Sequence, residues 1–148
     1  MLATLKPSLV VLVCGENDLY GASAKKTFKR VKKVIKAIHK TGSRVIMVGT
    51  KPEPSTVNLH GSYRMYDKLI QRYAKKMATK SPNAPAPLVF IDSYKGFQHL
   101  GNPNSLYDDD KLHLSAEGYS LWDSWVQSVL EEEAPSNCII WRNGNCIM

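Results

Sequence analysis

Cysteine is scarce in this chain: Cys14, Cys138 and Cys146 are the only three in 148 residues. Three scattered thiols cannot form a disulfide framework, so an ordinary apolar core must hold the fold. Cys14 closes an apolar run and reads as a small hydrophobe. Cys138 and Cys146 flank Ile139-Ile140-Trp141 and read as two free thiols of a reducing compartment rather than a bridge. The ending Asn145-Cys146-Ile147-Met148 places its cysteine one position too late for a prenylation box. Long apolar runs are also lacking. No stretch approaches the roughly 20 residues that a membrane-spanning helix needs. Met1–Pro7 has neither the basic region nor the apolar core of a signal peptide, which makes the cytoplasm the default expectation. There is no zinc-ligand spacing, no basic patch studded with aromatics and no internal repeat. The expectation is therefore no metal, no cofactor, no specific nucleic acid and no solenoid.

What is present suits one globular domain. The length allows a real core, and 43% hydrophobic content is ordinary. The domain is expected over residues 1–133, with a tail over 134–148, because Ala134-Pro135 ends the last helical pattern. The net charge of +7 is concentrated at Lys25, Lys26, Lys29, Lys32, Lys33, Lys36 and Lys40. The apolar residues of that segment, Phe28, Val31, Val34, Ile35 and Ile38, recur at helical spacing. This is an amphipathic helix with a basic outer face, and the simplest reading of that face is solvation.

Strand and helix patterns alternate. Leu9–Cys14, Arg44–Gly49 and Leu88–Ile91 read as strands, the first of them buried. Ala24–Lys40, Ser62–Ala78 and Ala116–Glu132 read as helices. Gly42 suits a helix C-terminal stop and Ser115 an N-cap. Gly96–Asp109 reads as a long loop. Continuous apolar strands between helices imply a parallel sheet covered on both faces, in an α/β fold.

In such sheets ligands bind outside the carboxyl ends of the strands. Gly15-Glu16-Asn17-Asp18 follows the first strand there. Asn17 can offer an uncharged N–H donor to a developing oxyanion, and Gly15 lets the backbone turn tightly beneath it. Four residues alone fit equally well a turn in which Asn17 or Asp18 caps the next helix. Downstream, Asp110-Lys111-Leu112-His113 places an acid and a histidine three apart. Turned helically, they share a face, so the carboxylate can orient the imidazole as a general base. A surface ion pair is the plain alternative. His39, His60 and His99 fit no motif and read as solvated or satisfied.

Gly15-Glu16-Asn17-Asp18 after a strand, and Asp110-Lys111-Leu112-His113-Leu114-Ser115-Ala116-Glu117-Gly118-Tyr119 before the last helix, resemble the G-x-N-D and D-x-x-H blocks of the SGNH (GDSL-type) hydrolases. The resemblance covers most of residues 8–130. It implies a three-layer α/β/α fold with a flavodoxin-like parallel sheet, and ester cleavage by a Ser-His-Asp triad. It further implies His113 as base, Asp110 as its orienting acid, Asn17 in the oxyanion hole and Gly15 in the substrate site. Asp108 and Asp109 fall outside that register.

The family's Gly-Asp-Ser block has no counterpart here. Thirteen serines are present, none in a Gly-Asp-Ser or Gly-x-Ser-x-Gly context. Ser55 and Ser62 could lie near the carboxyl edge, without the setting of an elbow nucleophile. The resemblance then implies a domain without its N-terminal strands, an ester hydrolase weak or inactive alone. The rival expectation is a non-catalytic interaction module. An unprotected Val10–Val13 edge would favour a homodimer through the first strand, with the segment Ile139-Ile140-Trp141 as a substitute strand otherwise.

Overall fold

The structure is a computed structural model that describes residues 7–80 and 82–133, with the backbone of 140–142 and 145–147. Cys138 and the side chain of Cys146 lie outside the described residues. Three parallel strands form the sheet in the order β1 (Leu9–Val13), β2 (Arg44–Val48), β3 (Leu88–Ile91). The register runs Val10↔Val45↔Leu88 and Leu12↔Met47↔Phe90. Because side chains alternate along a strand, those six share one face. They meet Val31, Ile35 and Ile38 of helix α1 (Ala24–His39) and Tyr66 and Ile70 of helix α2 (His60–Ala78) in the main core.

Each connection has a local cause. Ser23 accepts a hydrogen bond from the Lys26 amide at 3.4 Å and caps α1. The chain leaves that helix through Gly42 at φ +85°, a left-handed turn that favours glycine. Val34 stays outside the core at 45% exposure, against the expectation that it joins the apolar stripe. Its position lies between Arg30 and Ile38 on the rim, where the stripe is narrower than the apolar residues suggest.

The other face of the sheet is unevenly covered. Ile46 and Val48 are buried, whereas Val11 and Val13 of β1 are exposed. The expectation of a buried first strand and a sheet covered on both faces is corrected accordingly, whereas the expected open edge is present: β1 pairs only with β2 among the described residues. After β3 the expected loop holds a short helix, α3 (Ser93–His99), whose Asp92 cap accepts from the Lys95 amide. Its residue Phe97 joins Leu106, Tyr107 and Leu114 in a second, smaller cluster. Leu121, Trp122 and Trp125 of helix α4 (Ala116–Glu133) pack on that cluster. Close to the C-terminus, β4 (Ile140–Arg142) pairs antiparallel with β5 (Asn145–Ile147), and the sheet of β1 does not include it. The substitute-strand expectation therefore fails: the local hairpin satisfies these backbone groups.

Candidate active site

Cys14–Asp18 leaves the carboxyl end of β1 through Gly15, at φ +99°. The Tyr66 hydroxyl donates to the Cys14 carbonyl at 2.8 Å, and a Cβ at Gly15 would stand 2.4 Å from that hydroxyl oxygen. Glycine is thus required both by its φ and by a buried tyrosine beneath it. Burial pushes the Cys14 thiol up, which keeps it a protonated hydrophobe.

Beyond the glycine, Asn17–Tyr20 forms a 3-10 turn. Leu19 is buried and Asp18 accepts from Arg30 at 2.8 Å, so both neighbours of the Asn17 turn are anchored. The next helix, α1, is capped by Ser23, so neither Asn17 nor Asp18 plays the capping role of the plain alternative.

Asp110 and His113 meet, but not through a helical turn. Lys111 sits at φ +56°, which breaks any helix. Instead the Asp110 Oδ1 accepts the amides of Leu112 and His113, both at 2.9 Å, in an Asx-type turn. Its Oδ2 lies 2.6 Å from His113 Nδ1. The hydrogen bond from His113, joined by the two amides, lowers the Asp110 carboxyl to about 2. With a carboxylate at Nδ1, that nitrogen carries the proton and Nε2 is left as the basic one.

The loop is held from both sides. Asp108 donates its amide to the His113 carbonyl at 2.9 Å. The Ser55 hydroxyl and amide both donate to the Lys111 carbonyl, which commits Ser55 to structure. Ser115 caps α4 by accepting the Gly118 amide, and a Cβ at Gly118 would stand 2.1 Å from the Leu106 carbonyl oxygen. Gly118, in the first turn of α4, allows that approach.

Asn17 and His113 line one cavity of about 320 Å³. Val13, Gly49, Leu112 and Leu114 complete its apolar part, while Tyr119 and Trp122 of α4 form its aromatic wall. A wider cleft of about 540 Å³ adjoins it over Gly15–Asp18 and Val48–Thr50, at the open side of β1. No serine lines either cavity among the described residues.

Sequence reasoning missed the cavity's ionic floor, Glu16, Lys51 and Glu53. The Lys51 amide donates to Glu16 Oε1 at 3.1 Å, and its Nζ donates to Glu16 Oε2 at 3.0 Å and to Glu53 Oε1. Glu53 Oε2 accepts the hydroxyls of Thr56 at 2.8 Å and Tyr63 at 3.1 Å. Burial raises Glu16, and Lys51 and Glu53 beside it pull in opposite directions. Burial works against the Lys51 charge, yet the two carboxylates outweigh it and raise its pKa. In sequence the segment Lys51-Pro52-Glu53-Pro54 is simply a loop bearing two prolines. Nothing in its spacing announces that Glu53 points inward.

The fold brings a further acid behind this edge. Asp67 of α2 accepts from the Thr50 amide at 3.2 Å and the Thr50 hydroxyl at 2.8 Å. Burial raises it to about 7 despite those two bonds. His39 and His60 are satisfied, against the carbonyls of Pro87 and Glu53 respectively, both at 2.9 Å. Among the described residues no three His, Cys, Asp or Glu side chains group to hold a metal ion, and no helix is long and apolar enough to cross a membrane.

Known proteins share this fold. Residues 1–121 match the model of the GDSL-like Lipase/Acylhydrolase family. No curated protein matches by sequence. A member of the lipolytic protein G-D-S-L family from Veillonella parvula superposes with a TM-score of 0.65 at 20% identity, over 83% of this chain and 63% of its own. A lipase/acylhydrolase from Enterococcus faecalis gives 0.64 at 20% identity, over 87% and 64%. A carbohydrate esterase family 3 from Talaromyces cellulolyticus gives 0.65 at 17% identity, over 88% and 60%. At these identities the likeness is one of fold, and this chain spans less than two thirds of each structure's length.

Proposed function

This chain belongs to the GDSL-like lipase/acylhydrolase family, and from that premise we propose that it carries the base, the orienting acid and one oxyanion donor of an ester hydrolase, without the nucleophile. The observation that carries the reading is the 2.6 Å contact between His113 Nδ1 and Asp110 Oδ2, in a loop that shares a cavity with Asn17. In this reading His113 Nε2 takes the proton from an attacking hydroxyl, and Asp110 stabilises the imidazolium that forms. The Asn17 amide donates to the oxyanion, an interaction worth roughly 3 kcal/mol in acyl transfer. Gly15 keeps the backbone beneath the ester clear of side chain. The substrate is a small ester whose acyl or alcohol part fits about 320 Å³.

The purified chain is accordingly a very weak esterase or none. Activated short-chain esters and a fluorophosphonate probe test this. Robust turnover with covalent labelling of one serine of this chain would overturn it. Where residual activity is measurable, His113→Ala abolishes it and Asp110→Asn reduces it substantially, by misorienting the base.

The open edge of β1 supports a second reading, an interaction module built on the same half-site. Val11 and Val13 stand 39% and 53% exposed beside unpaired backbone groups, and neither proline nor lysine guards the run. We propose a homodimer in which two such edges meet about a two-fold axis. Light scattering after size exclusion should give twice the chain mass, and Val11→Lys should give the monomer. A parent chain that is monomeric at micromolar concentration rules the dimer out.

A further inference from the structure

The fold gathers charge that the sequence spreads over two segments. Helices α1 and α2 pack side by side on one face of the sheet. Together they hold twelve of the twenty Lys and Arg and one acid, the buried Asp67. Twelve cations less one acid leave +11 on this layer; with +7 for the whole chain, the remainder carries −4. Eleven of the twelve cations are exposed, the exception being Lys32. Of these twelve, Arg30 alone forms an ion pair with a described residue, Asp18. Helix α4, in the separate second cluster, carries five acids and no Lys or Arg. The molecule is therefore polarised, with a broad cationic side.

We propose that the α1–α2 layer docks on an anionic lipid surface. Three observations favour a membrane over a nucleic acid. Nine of the twelve cations are lysines, compact charges that suit a diffuse anionic plane better than bidentate recognition of phosphates or bases. The aromatic rings of the layer are spoken for: Phe28 and Tyr73 pack edge to face, with Lys32 Nζ 5.9 and 4.8 Å from their centroids, so no ring stands free to stack on a base. Apolar Val34 and Met65 stand 45% and 50% exposed among the cations, where they can dip into a headgroup layer but have no use on a phosphate backbone. The concentration of cations on this one layer then selects it as the docking face.

The test is sedimentation of the full chain with vesicles at about 0.15 M salt. Vesicles of phosphatidylcholine containing roughly one third phosphatidylserine should carry the protein down, and pure phosphatidylcholine should not. Raising the salt several-fold should release it. The variant Lys29→Gln, Lys33→Gln, Lys36→Gln, Lys76→Gln keeps helix-forming side chains at exposed positions, and circular dichroism confirms its fold. Its partitioning should fall on the order of a hundredfold or more, from the loss of four surface cations. Lys95→Gln, outside the layer, should stay within about threefold. Equal binding to both vesicle types overturns the proposal, as does undiminished binding by the four-site variant. Labelled single- and double-stranded nucleic acid is titrated in parallel; tight, sequence-dependent binding there, without vesicle binding, assigns the layer to the other partner.

Discussion

Lys51→Met isolates the contribution of the ionic floor. The substitution keeps the stem and the Lys51 amide bond to Glu16, and deletes only the ammonium that Glu16 and Glu53 share. The Glu53 side chain is 2% exposed and that of Glu16 24%, so water can solvate one carboxylate and barely reaches the other. Removing one partner of a buried pair costs about 3–5 kcal/mol. The share that falls on Glu16 is reduced by its solvent access, which puts the expected loss near 3 kcal/mol. For a domain of this size that is roughly 6–12 °C in melting temperature. Urea unfolding at neutral pH, followed by circular dichroism, measures it. Adding Glu53→Gln to Lys51→Met should recover at least about 1 kcal/mol, because the amide oxygen still accepts from Thr56 and Tyr63 without a stranded charge. A single variant within about 0.5 kcal/mol of the parent would refute the reasoning, since it would mean that Glu53 is not held as an ion by Lys51.

Asp67 gives a pH signature of opposite origin. Its native pKa of about 7 lies above the ordinary 3.8, so the folded state binds the proton more tightly and stability falls as pH rises between those values. Asp67→Asn should remove that slope and gain stability above pH 7, by up to about 4 kcal/mol for a shift of about three units; urea unfolding at acid and mildly alkaline pH reads it, and a parent more stable than the variant at alkaline pH contradicts the assignment. Gly15→Ala should destabilise by about 2–3 kcal/mol, through strain at φ +99° and collision with the Tyr66 hydroxyl. Gly15→Ala with Tyr66→Phe should do little better in the same unfolding experiment, because the ring carbon bearing the hydroxyl would still stand 2.7 Å from the new methyl.

Much of the frame was legible because periodicity reports burial. Leu88–Ile91 and the start of α1 at Ala24 match the pattern reading, and the other strand and helix ends differ by no more than two residues. Helix α3 was hidden because Tyr94 and Phe97 give a single apolar turn, too short to show a period. Asp110 and His113 were found by type and spacing, yet their contact was explained by the wrong local geometry. An aspartate that accepts two following amides reaches the imidazole without a helix, and only the positive φ of Lys111 reveals it. Glu16, Lys51 and Glu53 stayed invisible because their contact joins two loops 35 residues apart. Charge on a proline-bearing loop reads as solvent-facing until the fold turns it inward. The apolar pattern of Val11 and Val13 read as burial, since an apolar strand residue carries no mark of whether a neighbour covers it; only the missing neighbour strand implied by the resemblance pointed to an open edge.

The two packed clusters have a consequence for how the site is lost. Asn17 rides on the main core, through Leu19 and Tyr66, while His113 rides on the small cluster of Phe97, Leu106, Tyr107 and Leu114. The proposed half-site is therefore a seam between two clusters of unequal size. Regions with fewer buried apolar contacts open at lower free energy than the whole molecule does. Partial opening of the small cluster would scatter His113 and Asp110, the proposed base and acid, while the sheet and the cationic helices stayed intact. Trp122 and Trp125 both pack on the small cluster. In a Trp141→Phe background their indole emission is a local gauge of the His113 side, and far-ultraviolet ellipticity a gauge of the rest. Separation of the two signals along a denaturant series would show the Asn17–His113 cavity opening before the sheet and its helices unfold.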